Sequence, residues 1–235
     1  MVKEHRPVAA TSVDVQVPWA WSDIDIALLD MDGTLLDLRF DNYFWLELVP
    51  HRYAQAHAIS LNAARDVLSP KFAACHGTLN WYCIDYWSRE LGLDIAALKH
   101  EIRDQVRFLE GAERFLKTLR QWGKRLVLIT NAHRNSLQVK ALRTELGSYF
   151  ERCTSSHDYG AAKEQPGFWQ ALRNDISFDS QRTLFVDDSL AVLRMARAQG
   201  IAHLVTITQP DSTLPPRSIE EFPAVRRVAD LLELA

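Results

Sequence analysis

The stretch that most constrains the fold is residues 24–37, IDIALLDMDGTLLD, in which a short apolar run ends in Asp30 and Asp32. Apolar runs without alternation are typical of strands buried on both faces, as in parallel sheets. Ligands of such sheets collect at the carboxyl ends of the strands. Two carboxylates followed by Gly33, which permits a close turn, therefore predict a site for a hard cation and a phosphate. The alternative is an acidic turn without function, since acidic residues are common in turns.

The bulk composition limits the classes of partner. The chain has 235 residues, which suits one large domain or a core with a smaller insert, and 47% of them are hydrophobic. Its net charge is -3 and its pI is about 6.2. No overall positive field therefore attracts a nucleic-acid polymer or an anionic membrane, and a small anionic substrate would need local cations or a metal.

Cysteine usage and the termini indicate the compartment. Cys75, Cys83 and Cys153 are odd in number and lack a CxxC spacing, which argues against a disulfide framework or a zinc cage and favours reducing conditions. The first 21 residues lack the apolar segment of a signal peptide, and no run approaches the length of a transmembrane helix. We predict a cytoplasmic protein with no membrane partner, either a monomer or a small homo-oligomer.

The order of predicted elements indicates an α/β fold with a helical insertion. The predicted parts are an N-terminal arm at 1–21, ending near Trp19 and Trp21, a core at 22–37 and 109–235, and a helical insert at 38–108. Helical periodicity in the insert predicts helices at 42–57, 61–75, 78–91 and 94–108. Ser60 and Asp94 are predicted to cap two helices, and Gly92 and Gly147 to end two others.

In the core, predicted strands and helices alternate. The strands are expected at 125–129, 150–154, 183–186 and 202–206, and the helices at 113–122, 135–146, 166–173, 191–199 and 224–234. Such alternation implies right-handed crossovers and a parallel, Rossmann-like sheet covered by helices on both faces.

Three of the predicted strands end in polar clusters. These are Asp30 with Asp32, then Thr130-Asn131, then Asp187-Asp188-Ser189, with Lys163 between the last two in sequence. Each has an ordinary explanation when taken alone, such as a helix cap for Thr130 or a surface position for Lys163. Because the carboxyl ends of parallel strands meet in one crevice, we expect the clusters to form a joint site.

The order of these clusters resembles the four motifs of the haloacid dehalogenase (HAD) superfamily, with Asp-x-Asp-Gly-Thr-Leu as the first. The resemblance covers about residues 24–206 and implies a Rossmann-like core with an inserted helical cap. It implies one role for each motif residue: Asp30 is the nucleophile, Asp32 the general acid and base, Thr130 and the following amide of Asn131 bind the phosphoryl oxygens, and Lys163 holds the nucleophile and neutralises the phosphate.

The resemblance also implies a Mg²⁺ ion bound by Asp30, by the backbone carbonyl of Asp32 and by an acid of the fourth motif. Asp188 aligns best with that acid, and Asp187 is a neighbouring or alternative ligand. The residue types agree with this chemistry, because a phosphate ester and several carboxylates repel one another unless a divalent cation joins them. An aspartate nucleophile can form an aspartyl-phosphate, which divides hydrolysis into two easier steps.

Asp32 discriminates among the branches of the superfamily. The dehalogenase members lack an aspartate two positions after the nucleophile and use no Mg²⁺, so a phosphohydrolase is favoured. Phosphomutases share the aspartate pair. A mutase, or a phosphatase acting on sugar phosphates or another small metabolite, is therefore an alternative, as is a catalytically silent binding protein.

The insert is rich in aromatic residues. Residues 40–90 contain Phe40, Tyr43, Phe44, Trp45, Tyr53, Phe72, Trp81, Tyr82, Tyr86 and Trp87. Most are expected to fill a small helical core, while one or two could stack on a nucleobase. The strings at 37–45, 76–87 and 130–133 resemble the bacterial GMP/IMP nucleotidases of the superfamily. That resemblance implies hydrolysis of purine 5′-nucleoside monophosphates.

Several polar residues are candidates for contacts with the substrate. Asn42 and Tyr43 are the first choices, followed by His76 and Asn80. His133 follows the Thr130-Asn131 turn and could contact phosphate, but a position at the surface or at the start of a helix is the simpler explanation. Cys83 is expected to be a small buried apolar residue and not a nucleophile, because it has no histidine at a recognisable spacing.

Overall fold

The computed structural model describes residues 17–233 and has a six-stranded parallel sheet at its centre. The strands are β1 (Ile26–Leu29), β2 (Arg125–Thr130), β3 (Arg152–Ser155), β4 (Thr183–Asp187), β5 (His203–Ile207) and β6 (Ala224–Val225), in the spatial order β3-β2-β1-β4-β5-β6. In the register of β1, Leu29 pairs with Leu128 on one side and with Val186 on the other. Three strand ends therefore lie next to one another at the carboxyl edge of the sheet.

The insert is helical, as predicted. It contains α1 (Arg39–Tyr43), a turn of π-helix (Phe44–Leu48), α2 (Val49–His57), α3 (Leu61–Cys75), α4 (Leu79–Tyr82), α5 (Ile84–Leu91) and α6 (Ile95–Glu101). The Ser60 hydroxyl caps α3 by accepting from the amide of Ala63 at 3.2 Å, and Gly92 ends α5 at a φ of 63°. The prediction of α3 is thus confirmed at both ends.

Two predicted insert helices are shorter than expected. The helix expected at 78–91 is divided at Cys83, which adopts an extended conformation and caps α5 through its sulfur. The helix expected at 94–108 ends at Glu101, because the chain must return to the sheet. There Phe108 forms an antiparallel bridge with Leu36, and Leu109 is buried.

The core helices are α7 (Ala112–Gln121), α8 (Arg134–Thr144), α9 (Ser156–Tyr159), α10 (Pro166–Asp175) and α11 (Leu190–Ala198). They cover both faces of the sheet, so β1 is buried on both sides. Ala27 and Leu29 pack with Phe115 of α7, whereas Ile26 and Leu28 pack with Trp169 of α10. A third cluster of buried residues, including Phe44 and Trp87, lies entirely within the insert. The predicted α/β fold is confirmed.

Two predictions near helix ends are wrong. The helix expected at 224–234 is instead strand β6 and a 3-10 helix at Val228–Glu233, because the free edge of β5 offers backbone partners that outweigh local periodicity. Helix α8 ends at Glu145 in the left-handed conformation, at a φ of 53°, so Gly147 is not its terminator.

The ends of the described chain are fixed by aromatic contacts. Residues 1–16 of the predicted arm lie outside the described residues, while Trp19 and Trp21 are buried with their rings 5.2 Å apart. The Trp21 indole donates a hydrogen bond to the carbonyl of Leu231. Between residues 17 and 233, no helix combines the length and the apolar character that crossing a membrane requires.

Candidate active site

A cavity of about 400 Å³ lies between the carboxyl edge of the sheet and the insert. From the core it is lined by Asp30, Asp32, Thr130, Asn131, Lys163, Asp187 and Asp188, and from the insert by Asp41, Asn42, Trp45, Phe72, His76, Trp81, Tyr82 and Lys99, among others. All of the motif residues predicted from the sequence therefore meet in one place. Their chemical roles remain predictions.

Lys163 is the central cation of the cavity floor. Its side chain is only 2% exposed, and its ammonium lies 2.5 Å from the carboxylate of Asp30 and 2.7 Å from that of Asp187. Burial by itself would lower the pKa of Lys163, but the two carboxylates outweigh burial and raise it. Burial also raises the pKa of Asp30 to about 7, with Lys163 opposing the rise and Asp187 adding to it.

Asp187 and Asp188 have different surroundings. One oxygen of Asp187 accepts from Lys163, and the other accepts from the amide of Ser189 at 2.8 Å. Asp188 packs against Gly33, where a Cβ atom would lie 2.8 Å from the Asp188 Cγ. Within the described part of the chain, neither oxygen of the Asp188 carboxylate accepts a hydrogen bond, and the guanidinium of Arg217 is 3.9 Å away. This carboxylate is therefore the one that remains available.

The donor set fits a hard divalent cation. One carboxylate oxygen from each of Asp30, Asp187 and Asp188 lies within 4.8 Å of the others. Two of these carboxylates, those of Asp30 and Asp187, share the buried ammonium of Lys163, so full ionisation of all three leaves an excess of negative charge. In agreement, burial together with the charges of Asp187 and Asp30 raises the pKa of Asp188 well above its ordinary value. Oxygen ligands with excess negative charge are what Mg²⁺ prefers.

Thr130 and Asn131, at the end of β2, line the cavity, and Asn131 also holds the loop that carries Lys163. Asn131 accepts from the amide of Lys163 at 2.9 Å through its side-chain oxygen and donates to Glu164 at 2.9 Å. The hydroxyl oxygen of Thr130 accepts from the amide of Ala132 at 3.0 Å, which leaves the hydroxyl proton to be donated elsewhere. The Asn131 side chain is thus committed to structure, and its predicted contact with phosphate concerns its backbone amide.

A chain of buried charges that was not predicted from the sequence lies beside Asp32. Lys140 of α8 is 2% exposed and donates to Asp32 at 2.7 Å and to Asp41 at 2.5 Å. Asp41 also accepts from Lys99 at 2.8 Å, and the Lys99 ammonium lies 4.6 Å from the ring centre of Phe44. Lys99 and Lys140 lie outside the strings that carry the family resemblance, so their positions gave no signal, and Asp41 lies within 37–45 but had no assigned role. Through these ion pairs Asp32, the predicted general acid and base, is connected to the insert.

Burial raises the pKa of Asp32 to about 6, although Lys140 opposes the rise while Asp41 and Asp30 add to it. Asp41 behaves in the opposite way, because Lys140 and Lys99 outweigh its burial and lower its pKa. The pair of carboxyls is therefore divided into one that titrates near neutrality and one that stays ionised. This is the kind of separation that acid–base catalysis uses.

Of the four insert residues predicted to contact the substrate, two line the cavity and two do not. Asn42 lines the cavity, but its amide donates to Asp211 at 2.7 Å. His76 also lines the cavity. Tyr43 is 39% exposed and Asn80 is exposed, and neither is among the residues that line the cavity. Tyr82, which was not singled out, links the insert to the core by donating to Glu164 at 2.6 Å.

Comparison with known proteins identifies the family. A family model described as haloacid dehalogenase-like hydrolase matches residues 24–200. The chain belongs to this family. It is 40% identical over 206 residues to the GMP/IMP nucleotidase YrfG of Escherichia coli, covering 88% of this chain and 93% of that relative. The prediction of a HAD-type hydrolase of phosphoric monoesters is confirmed at this level.

Solved structures of the family share the fold. An HAD phosphatase from Thermococcus onnurineus superimposes with a TM-score of 0.74 at 18% identity, covering 90% of this chain and 97% of that one. An L-2-haloacid dehalogenase from Xanthobacter autotrophicus gives 0.60 at 15% identity, covering 90% and 98%. Because the two names belong to different chemistries, these similarities show the fold alone.

Proposed function

We propose that this HAD hydrolase is a Mg²⁺-dependent phosphomonoesterase that converts purine 5′-nucleoside monophosphates, GMP and IMP, to nucleoside and phosphate. The observation that carries the proposal is the 40% identity to a GMP/IMP nucleotidase over 88% of the chain. An alignment of that length includes the insert as well as the core. The carboxylate cluster and Lys163 supply the chemistry that such a reaction requires.

The reaction proceeds in two displacements at phosphorus. In the first, the Asp30 carboxylate attacks, an Asp30–phosphorus bond forms, and the ester bond to the 5′ oxygen breaks while Asp32 supplies a proton to that oxygen. In the second, Asp32 takes a proton from water, the water oxygen bonds to phosphorus, and the bond to Asp30 breaks. A carboxyl that titrates near neutrality, as Asp32 does, suits both transfers.

Other residues of the cavity stabilise the transferring group. Lys163 and the Thr130 hydroxyl face the developing charge of the phosphoryl oxygens. Asp30 and Asp188, with the Asp32 carbonyl, would hold Mg²⁺, while Asp187 is occupied in orienting Lys163. When bound, the ion supplies positive charge that offsets the repulsion between phosphate and carboxylates.

The direct test is phosphate release in the presence of Mg²⁺ from GMP, IMP, AMP, UMP and several sugar phosphates. A clear preference in kcat/KM for GMP and IMP is the expected result. Release spread over sugar phosphates would retain the phosphatase and discard the nucleotidase. Isomerisation without free phosphate would indicate a mutase, and no turnover of any substrate would favour a binding protein.

Trp81 is proposed to contact the base. It lines the cavity beside Trp45, and the centroids of the two stacked rings are 6.2 Å apart. Since stacking of a base on an aromatic ring contributes about 1–3 kcal/mol, Trp81→Ala is expected to raise KM for GMP roughly tenfold. KM for glycerol phosphate, which has no ring, should change little. Tyr43→Ala, an aromatic residue of the insert that does not line the cavity, is the control. An equal rise for both substrates would show that Trp81 only fills space.

Lys140 is proposed to hold Asp32 in place. Lys140→Met removes the ammonium that donates to Asp32 and Asp41, and is expected to lower kcat roughly 10- to 100-fold with a smaller effect on KM. Loss of the cation that lowers the pKa of Asp32 should also move the acid-base limb of the kcat profile to higher pH. Lys140→Arg should restore part of the rate. A uniform loss of rate with an unmoved pH profile would leave Lys140 a structural role only.

A further inference from the structure

A second cluster of metal-ligating side chains lies outside the carboxylate site. The sulfur of Cys83 and one ring nitrogen each of His133 and His157 lie within 4.8 Å of one another. Cys83 belongs to the insert, between α4 and α5, whereas His133 precedes α8 and His157 lies in α9 of the core. The three are far apart in sequence, which is why no ligand spacing was visible there.

The hydrogen bonds around His157 define its protonation. The Ser155 hydroxyl donates its single proton to the carbonyl of Ala132 at 2.6 Å. Its contact with Nδ1 of His157 at 3.4 Å must therefore be one in which Nδ1–H donates. The Nε2 atom is then unprotonated. It is buried and, among residues 17–233, has no hydrogen-bond partner. A buried lone pair without a donor is costly, and a metal ion would satisfy it.

The neighbouring groups also suit a metal. The imidazole of His157 stays neutral at pH 7, because burial, with His133 adding to it, lowers its pKa to about 4. The sulfur of Cys83 accepts from the amide of Tyr86 in the first turn of α5 at 3.4 Å, so it is held beside the two rings. Nδ1 of His133 accepts from the amide of Asn135 at 3.4 Å, which places the proton of the neutral ring on Nε2, 3.5 Å from the exposed carboxylate of Asp85. Metal binding at Nε2 moves that proton to Nδ1 and breaks the bond to Asn135, and Asp85 can turn in as a fourth ligand.

We propose that Cys83, His133 and His157 bind a thiophilic divalent ion such as Zn²⁺, which ties the insert to the core. At Zn–S of about 2.3 Å and Zn–N of about 2.0–2.1 Å, tetrahedral donors are roughly 3.3–3.6 Å apart, so small movements from the present separations suffice. Binding releases the thiol proton of Cys83 to solvent. A ligand set of one sulfur and two nitrogens is soft enough to select zinc over Mg²⁺.

The site has a consequence for turnover that rests on the proposed phosphatase activity. The cavity has walls from both the insert and the core, and His133 lines it. An ion that joins the two walls restricts the motion by which substrate enters and product leaves. Zinc is therefore expected to slow hydrolysis at a site distinct from the carboxylate cluster.

The primary experiment uses no substrate. Co²⁺ is titrated into the full-length protein in excess Mg²⁺, and absorption from thiolate-to-cobalt charge transfer is recorded; Zn²⁺ affinity is then measured by competition with a chromogenic chelator. We expect one equivalent of thiolate-ligated cobalt and a zinc Kd of about 1 µM or tighter. Cys83→Ser should abolish the absorption, and His157→Gln should weaken zinc binding at least about tenfold. The matched control Cys75→Ser should retain both.

Equal binding by the wild type and Cys83→Ser, or the absence of thiolate absorption in the wild type, would overturn the proposal. Thermal melts without metal show whether each variant is folded. If Cys83→Ser does not fold, the comparison of metal binding is made with His157→Gln instead. In a second assay, zinc should inhibit hydrolysis of a generic phosphate ester at a concentration roughly tenfold lower in the wild type than in Cys83→Ser. Because binding is read without turnover, failure of the phosphatase proposal would leave the zinc result intact.

Discussion

Replacing Asp30 by Asn is expected to lower the rate of phosphate release by at least about 10³-fold, the scale of loss when a nucleophile is removed. The amide is similar in shape to the carboxylate but carries no charge, so it cannot form the acyl-phosphate bond. Acid-quenched wild-type protein should show a mass increase of one phosphoryl group during turnover, whereas Asp30→Asn should show none. Retention of the wild-type kcat would exclude an aspartyl-phosphate mechanism.

Loss of folding can be separated from loss of chemistry in this variant. Burial raises the pKa of Asp30 to about 7. In the metal-free protein, ionisation of Asp30 above that pH therefore lowers the stability of the folded state. Asp30→Asn should therefore melt at the same temperature as the wild type or higher in the presence of a chelator. The matched control is Asp25→Asn in the same sequence stretch, an exposed residue that pairs with Arg182. Its kcat should stay within a few fold of the wild type, since surface pairs contribute little.

The sheet and the motif residues could be predicted because local sequence determines them. The run from Ile26 to Leu29 is buried on both faces, and a parallel sheet places its end beside the ends of β2 and β4. Chain order therefore predicted that Asp30, Thr130 and Asp187 would meet. Helix α3 was equally predictable, since Ser60 caps it and its apolar spacing continues to Cys75.

The remaining parts of the site depend on contacts between distant segments. Lys140 reaches Asp32 and Asp41 from a helix whose sequence gives no reason to bury a lysine, and only the folded chain shows the paired charges that make its burial possible. The same is true of Cys83 and its two histidines. At the C-terminus, Val225 joins a sheet edge that local periodicity could not reveal.

Lys163→Met is expected to have the second large effect, on both activity and stability. Methionine has a similar length but no charge, so Asp30 and Asp187 are left buried without their cation. Breaking a buried ion pair costs about 3–5 kcal/mol of unfolding free energy. Loss of a group that faces the transferring phosphoryl should lower kcat by about 10²–10³-fold. Lys117→Met, which removes an exposed pair with Glu113, should leave stability almost unchanged, because water and salt screen exposed pairs.

The pH dependence of this destabilisation distinguishes charge from packing. In wild type, Lys163 lowers the pKa of Asp30 and Asp187 against the effect of burial, so its removal should raise both further. A carboxyl whose folded pKa lies above its unfolded value stabilises the fold at low pH, and this contribution is lost as pH rises through the folded value. In the presence of a chelator, the decrease in unfolding free energy caused by Lys163→Met should therefore be smaller at about pH 5 than at about pH 8. Saturating Mg²⁺ should recover part of the loss at the higher pH, because the ion supplies the missing positive charge. Equal destabilisation at both pH values, unaffected by Mg²⁺, would mean that Lys163 acts through packing and not as the counterion of the carboxylates.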